Sequence, residues 1–364
     1  MKKNNVKIAS KSFNNVIKEF SMSILSIVVA LFISIFFVMW ALDSGFISSA
    51  ETLFSSIWQG SFGSSRQLIE TFVFATPLIF TGLAHAVAFK TGLFNIGVEG
   101  QFIIGMLSAA LLGLIPGIPK PLHIIIIMAG GTLGGALWAA IPGYLKAKLG
   151  TNEVVNTIMM NFIAMSLSNY FTMGPFHKPS SASTYPIQES AMLTRFLGET
   201  NRLNSGTYIG GIIVIILVYI LLWKTTIGYE IRAVGINPSA AEYGGIDIKK
   251  NIILAMAISG AIAGLGGAIH IAGVQHQNMQ LFGFPNYGMD GISVALVAKS
   301  NPIGVIFSAI LFGALNLSSG TLMLFGIPKT ISYIIQGIVI LFIAAGYIFK
   351  LIGEKRKKEA TVNE

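Results

Sequence analysis

Eleven residues, Thr91–Gln101 (TGLFNIGVEGQ), place Asn95, Glu99 and Gln101 between two long apolar runs. A carboxylate and two amides are expensive in lipid unless they face a cavity or pair with one another, so such residues mark a functional site by default. Gly92, Gly97 and Gly100 let the backbone unwind and approach its neighbours closely. A partial copy lies far downstream, where Asn286–Gly291 reads NYGMDG against NIGVEG at Asn95–Gly100. Both fit Asn-x-Gly-aliphatic-acid-Gly, and both open an apolar helix. Glu99 and Asp290 then fall in a first helical turn, where the helix dipole favours negative charge. The chemistry on offer is hydrogen bonding to something polar that passes through. Asn95, Glu99, Gln101, Asn156, Asn161, Asn286 and Asp290 are the candidate lining of a passage. For Asn156 and Asn161, inside the apolar run Glu153–Met173, hydrogen bonding between helices is an equal alternative. His85 and His270 lie near the ends of apolar runs and suit structural hydrogen bonds better than a proton relay.

Bond-making chemistry is not written in the chain. There is no Gly-Lys dipeptide, hence no Walker A phosphate loop, and no Gly-x-Ser-x-Gly nucleophile motif. The five histidines lack the three- or four-residue spacing of a zinc site, and the absence of cysteine excludes disulfides and thiolate ligands. No enzyme activity, cofactor or metal is expected. Any ATP must be bound by a partner.

The elements that position these residues are membrane helices. Hydrophobic residues make up 53% of the 364 and charged residues 11%, against roughly 25% in soluble domains. Such a chain cannot cover a water-facing surface, so the bilayer is its main solvent. Ten apolar segments follow: Ile24–Leu42, Ile69–Phe89, Gly100–Leu114, Leu122–Tyr144, Glu153–Met173, Thr207–Trp223, Asn251–Ala272, the short Asn286–Ala298, Ile303–Ser319 and Thr330–Phe349. The first is too long for a signal peptide and lacks a small-residue cleavage site. Arg66, Lys120, Lys178, Arg195, Arg202 and Lys329 fall on outer segments of a ten-crossing arrangement, leaving 18 of the 24 Lys and Arg inside. That asymmetry predicts both termini in the cytoplasm and places the net charge of +9 there rather than against nucleic acid. The expected organisation is all-α: a cytoplasmic tail (1–20), one transmembrane domain (21–350) with a cytoplasmic loop at 224–250, and a cytoplasmic tail (351–364). The serine-rich Asp43–Leu68 is expected as a polar outer segment.

In this arrangement the two motif copies enter from opposite sides, the mark of an inverted-topology repeat with helices broken near Asn95 and Asn286. Irregular backbone at that depth is tolerated only where it lines a cavity or is buried by protein. Gly130, Gly131, Gly134 and Gly135, with Gly260 and Gly264, supply the small-residue spacing that lets helix backbones meet. In the cytoplasmic loop, Asn237 reads as an N-cap, Pro238 as the first helical residue and Gly244-Gly245 as the stop. The result is a pinned helix of about seven residues with Ala240 and Ala241 at its centre, suited to a groove on another protein.

Three stretches carry a family resemblance: GLFNIGVEGQ at Gly92–Gln101, AVGINPSAAEYGGI at Ala233–Ile246 and GISVALVAKSNPIG at Gly291–Gly304. Across about Glu70 to Tyr347 the chain resembles the permease subunits of bacterial ABC importers in the ribose and branched-chain amino acid permease family, most of all its nucleoside (guanosine-type) branch. The resemblance implies a multi-pass protein of the bacterial cytoplasmic membrane that works with a cytoplasmic ATPase, a second permease subunit and an extracytoplasmic substrate-binding lipoprotein. It assigns ATPase coupling to Gly235, Asn237, Pro238, Ala240, Ala241 and Gly244. The Ser48–Ser65 stretch and the long loop Gly174–Gly206 are less typical of the family and are expected to contact the lipoprotein. Ribose-like sugars or branched-chain amino acids are alternative cargoes, and an ion-coupled secondary transporter is the alternative mechanism.

Overall fold

A computed structural model describes residues 26–196, 198 and 201–342. The lysine-bearing tail 1–20, the end of the tenth apolar segment and the tail 351–364 lie outside the described residues. Among those described, every regular element is helical. In chain order they are α1 (Ser26–Leu42), α2 (Phe46–Ser61), α3 (Ser65–Lys90), α4 (Val98–Gly113), α5 (Lys120–Leu149), α6 (Glu153–Met173), α7 (Gly211–Lys224), α8 (Thr226–Ile236), α9 (Pro238–Tyr243), α10 (Ile248–His270), α11 (Tyr287–Val297), α12 (Pro302–Leu324) and α13 (Lys329–Phe342). A π-turn, Ile271–Gln275, extends α10.

Four helices are long and apolar enough to cross a membrane: α3, α5, α10 with its extension, and α12. The number rises to six if each bent pair, α1–α2 (108°) and α7–α8 (70°), is one span. The shorter apolar helices are α4, α11 and α13. Two of these, α4 and α11, are the helices that the Asn-x-Gly motifs open, so they fall short for the reason the motifs suggested: each begins at broken backbone.

The chain forms two compact units. The smaller contains residues up to Gly63 and from Leu315 onward. Here lies the segment expected at Asp43–Leu68 as a polar outer stretch, and it is largely helical. Most of it is the helix α2, which buries Ser49, Ser56 and Ser61 with Leu53 and Gly60 while Ser48, Phe46, Phe54 and Trp58 are exposed. A Cβ on Gly60 would lie 2.9 Å from Ser318 Cα, so the small face of α2 sits directly on the carboxy-terminal part of α12. Gln336 of α13 donates to Asn316 Oδ1 at 2.7 Å in the same unit.

The larger unit, Ser64–Ala314, is built on α3, α4, α5, α10 and α11. Its centre is a backbone-to-backbone crossing. A Cβ on Gly260 would fall 2.2 Å from Gly135 O, one on Gly264 the same distance from Gly131 O, and one on Gly105 the same distance from Gly264 O. Any larger residue there would force the helices apart, which is why α5, α10 and α4 meet at glycines. Helix ends are held by side chains. Ser64 caps α3, Asn152 caps α6, Thr225 caps α8 and Asp247 caps α10.

Candidate functional site

Residues 91–97 form the irregular approach to α4, and the site grows from it. Asn95 is fully buried and uses its whole amide: Nδ2 donates to Gln101 Oε1 (3.2 Å) and Ser259 Oγ (3.0 Å), while Oδ1 accepts from the Gly97 N–H and Gln101 Nε2, each at 3.1 Å. Ser259 in turn donates to the Ala84 carbonyl at 2.8 Å. One closed network therefore joins the approach, α4, α10 and α3.

Asn161, from the middle of α6, braces the same turn. Its Oδ1 accepts from the Gly100 N–H at 2.8 Å and its Nδ2 donates to the Ile96 carbonyl at 3.0 Å. Gly100 has no room for a side chain, since a Cβ would come within 2.8 Å of Asn161 Oδ1. Asn156, one turn earlier on α6 and half-buried, donates to Thr151 Oγ1 at 2.6 Å, at the cap of that helix.

Glu99 reaches across to the second copy. Its Oε1 accepts from the Asn286 N–H (2.8 Å), and its Oε2 accepts from those of Gly288 (2.6 Å) and Met289 (3.1 Å). These are the orphan donors at the start of α11, and a carboxylate is their best partner. The approach is as close as backbone allows: a Cβ on Gly288 would lie 2.3 Å from Glu99 N. The two motif helices thus meet with their N-terminal ends together.

The second copy is held from α3. Thr81 Oγ1 lies 2.9 Å from the Tyr287 carbonyl, and His85 Nε2 lies 2.9 Å from that of Gly288. Ile96 and Tyr287 occupy the same position in the two motifs, and each carbonyl is tied by a side chain of a long neighbouring helix. Asn286 is exposed in the left-handed region (φ 68°) and makes no side-chain cap. Asp290 is half-buried in the first turn of α11. The Tyr287 ring packs on Phe102 (5.3 Å between centroids) and His270 (5.1 Å).

The structure therefore gathers Asn95, Glu99, Gln101, Asn161, Asn286 and Asp290 around one junction and leaves Asn156 at a helix cap. It adds Ser259, Thr81 and His85, which sequence reasoning did not place there. Only His85 carried a signal, as a ring inside an apolar run. Ser259 is 164 residues from Asn95, beyond any local pattern.

The loop at 224–250 folds as two short helices. Asn237 Oδ1 accepts from the Ala240 N–H at 3.1 Å, Pro238 opens α9, and the Gly244 N–H closes it on the Ala240 carbonyl at 3.1 Å. Ala241 faces inward and Ala240 outward. Ile236 is 86% exposed and Tyr243 96%, so two large apolar side chains flank α9 uncovered. Gly235, on α8, packs on the end of α3, where a Cβ would fall 2.1 Å from Lys90 O; Gly92 (φ 76°) faces it from the approach to α4.

A chain whose broken helices meet end to end in a glycine-packed helical core, with a short uncovered helix between α8 and α10, is built as a membrane permease. Residues 67–344 match the family described as branched-chain amino acid transport system / permease component, and the chain belongs to that family. Its relatives include the guanosine ABC transporter permease protein NupP of Bacillus subtilis, 38% identical over 85% of this chain and 90% of that protein. The nucleoside ABC transporter permease protein NupB of Lactococcus lactis is 36% identical over 84% and 86%. The glucose ABC transporter permease protein TsgB13 of Haloferax volcanii is 31% identical over 78% and 77%. No solved structure matches.

Proposed function

We propose that this chain is the permease subunit of an ATP-driven importer that carries nucleosides across the cytoplasmic membrane of a bacterium. The observation that supports the cargo is its likeness to two nucleoside-type permeases along most of all three chains. The glucose-named relative keeps a sugar as the second reading. In our proposal the chain crosses the membrane ten times with both ends inside. A cytoplasmic ATPase binds the ATP and grips α9 through Ile236, Tyr243 and the face carrying Ala240. A second permease subunit completes the passage, and a lipoprotein delivers cargo outside.

The mechanism that fits this geometry is a shift between inward- and outward-open populations, driven by differential ATPase contact. Force entering at α9 passes to α8, whose Gly235 rests on Lys90 and Thr91, one step from the approach to α4. There the Asn95 network and the Glu99 clasp make α4 and α11 move together, with Asn156, Asn286 and Asp290 toward the passage. An ion-coupled carrier fits less well, because the Glu99 carboxylate is already engaged by three backbone N–H groups.

The test is uptake of labelled nucleosides by cells with and without the gene, with ribose and leucine as competitors. Gene-dependent guanosine or adenosine uptake that neither competitor reduces is expected. Loss of uptake to ribose would establish the sugar reading. Transport by the chain alone, following an ion gradient, would overturn the ATP-driven one.

A further inference from the structure

At the end of α7 two cations share one aromatic ring. Lys90 Nζ and Arg232 Cζ each lie 5.8 Å from the Trp223 ring centroid. Tyr219 stacks on the same indole, with centroids 5.5 Å apart and planes 16° from parallel. All three of Lys90, Trp223 and Arg232 are half-buried, and Lys224 follows in the chain, exposed. Among the described residues neither cation of the pair has an acidic partner. The ion pairs among the described residues are Lys146–Glu153 and Arg202–Glu70, and Glu230, near in sequence, accepts from Asn251 instead. Arg232 Nε is spent on the Gly228 carbonyl at 3.2 Å, which leaves its terminal N–H groups to donate elsewhere.

An indole attracts one cation at a modest gain, but two like charges against one ring repel each other unless an anion joins them. The surface beside the site suits an anion carried by a lipid. Ile212, Ile213, Ile216, Leu217 and Ile220 are the exposed face of α7, and nothing between Gly211 and Trp223 is charged. At 14 residues α7 is roughly 21 Å long, more than one leaflet of a hydrocarbon core of about 30 Å. An acyl chain lying along that face ends with its headgroup beside Trp223, at the depth where tryptophan and basic residues meet phosphates. The 70° bend into α8 brings that helix's N-terminus to the same corner, which also favours an anion.

We propose that Lys90, Arg232 and the Trp223 indole bind the phosphate of an anionic glycerophospholipid headgroup. The leaflet that supplies it depends on the orientation proposed above, whereas the binding does not. Because Lys90 is also the residue whose carbonyl packs on Gly235, the lipid is seated beside the joint between α8 and the approach to α4.

The experiment is native mass spectrometry of the complete importer, purified with its partner subunits from phosphatidylcholine bilayers with and without phosphatidylglycerol. Phosphatidylglycerol should be retained in preference to phosphatidylcholine. K90Q/R232Q should weaken that retention by roughly thirtyfold, two surface charges together. The charge-conserving K90R/R232K should restore most of it. Equal retention by the unaltered chain and K90Q/R232Q would overturn the proposal. Displacement by millimolar inorganic phosphate would reassign the site to free phosphate. Retention seen only after the ATPase is stripped away would make it an ATPase contact. If K90Q/R232Q does not assemble, competition on the unaltered importer decides. Phosphatidylglycerol must then displace a fluorescent anionic lipid that phosphatidylcholine leaves in place.

Discussion

The two Asn-x-Gly-aliphatic-acid-Gly copies share a pattern and differ in what they hold. The first is a clasp: Asn95 closes a buried network, and Glu99 reaches out to grip the other copy. The second is what is gripped. Its Asn286 is exposed, its start is capped by a residue 187 positions away, and its carbonyls are tied from α3. Even the approaches differ. The path into α4 rests on α8, while the path into α11 is tied through Asn278 to the end of α6, where its Nδ2 donates to Ser168 at 2.9 Å and Thr172 at 2.7 Å, and to the long loop ahead of α7, where its N–H donates to Thr184 Oγ1 at 3.1 Å. Repeated sequence here encodes a lock and its keeper, with one side packed on α8 and the other tied to α6 and the long loop.

The sharpest way to break that asymmetry is Glu99→Ala against Asp290→Ala. Losing the Glu99 carboxylate strands three backbone N–H groups at the heart of the larger unit, at about 1–3 kcal/mol each. Against a total stability of about 5–15 kcal/mol this should abolish uptake and lower the melting temperature steeply. Asp290→Ala should cost much less, and Glu99→Gln, which keeps an acceptor oxygen, should fall between. Thermal unfolding of the purified importer ranks them. Equal losses from the two acids would mean that the copies are equivalent after all.

Next in size is the asparagine pair. Asn95→Leu leaves Gln101 and Ser259 without their buried partner and should cost about 2–4 kcal/mol, with loss of uptake. Asn286→Gly should be neutral or slightly stabilising, because that residue is held for its left-handed backbone rather than its amide. Asn286→Val should lose about 1–2 kcal/mol for the same reason. Chemical denaturation of the three variants tests the claim, and a severe loss from Asn286→Gly would defeat it.

Much of this was legible in the sequence, and what escaped did so for physical reasons. The caps at Asn237 and Gly244, the glycine spacings of α5 and α10, and the broken starts of α4 and α11 are local patterns that local physics enforces. Glu99 could be read as an acid in a first helical turn. That it serves the other helix's first turn could not be read, because the choice depends on a contact between distant segments. Ser259 and Thr81 are ordinary serine and threonine in apolar runs, and only their carbonyl and amide partners make them part of the junction. The helix α2 was hidden because serines suggested water, when on a helix packed against Ser318 they supply smallness.

A third comparison separates the wiring of the two approaches. Gly235→Leu would press a side chain into the Lys90 carbonyl and the approach to α4. ATPase activity should persist while nucleoside uptake falls at least tenfold, a barrier of about 1.4 kcal/mol or more in the transport step alone. Asn278→Ala, on the other approach, should reduce both activities together, since it loosens the fold without touching the docking side. Retained uptake in Gly235→Leu would show that α8 carries no force to α4.

The smallest effect lies at the far end of the second approach. His276, just past the π-turn, accepts from Arg195 at 2.8 Å through Nε2 and so must be neutral at that nitrogen. Burial lowers its pKa, and the Arg195 charge lowers it further. A group whose folded pKa lies below its unfolded value, near 6.5, adds stability above that pH and loses it as pH falls toward the folded pKa. The loop should therefore loosen on mild acidification, by no more than about 1 kcal/mol for a half-buried pair. Hydrogen exchange at the Ile187 and His276 amides, which bond to His276 O and Ile271 O at 2.8 Å, should quicken below about pH 6 beyond its intrinsic pH dependence, with the amides of Gly97 and Gly100 unaffected. His276→Gln keeps an acceptor for Arg195 and should flatten that response. The comparison fails here if the first approach responds to acid as strongly as the second, for then the two are mechanically one piece and the clasp transmits in both directions equally.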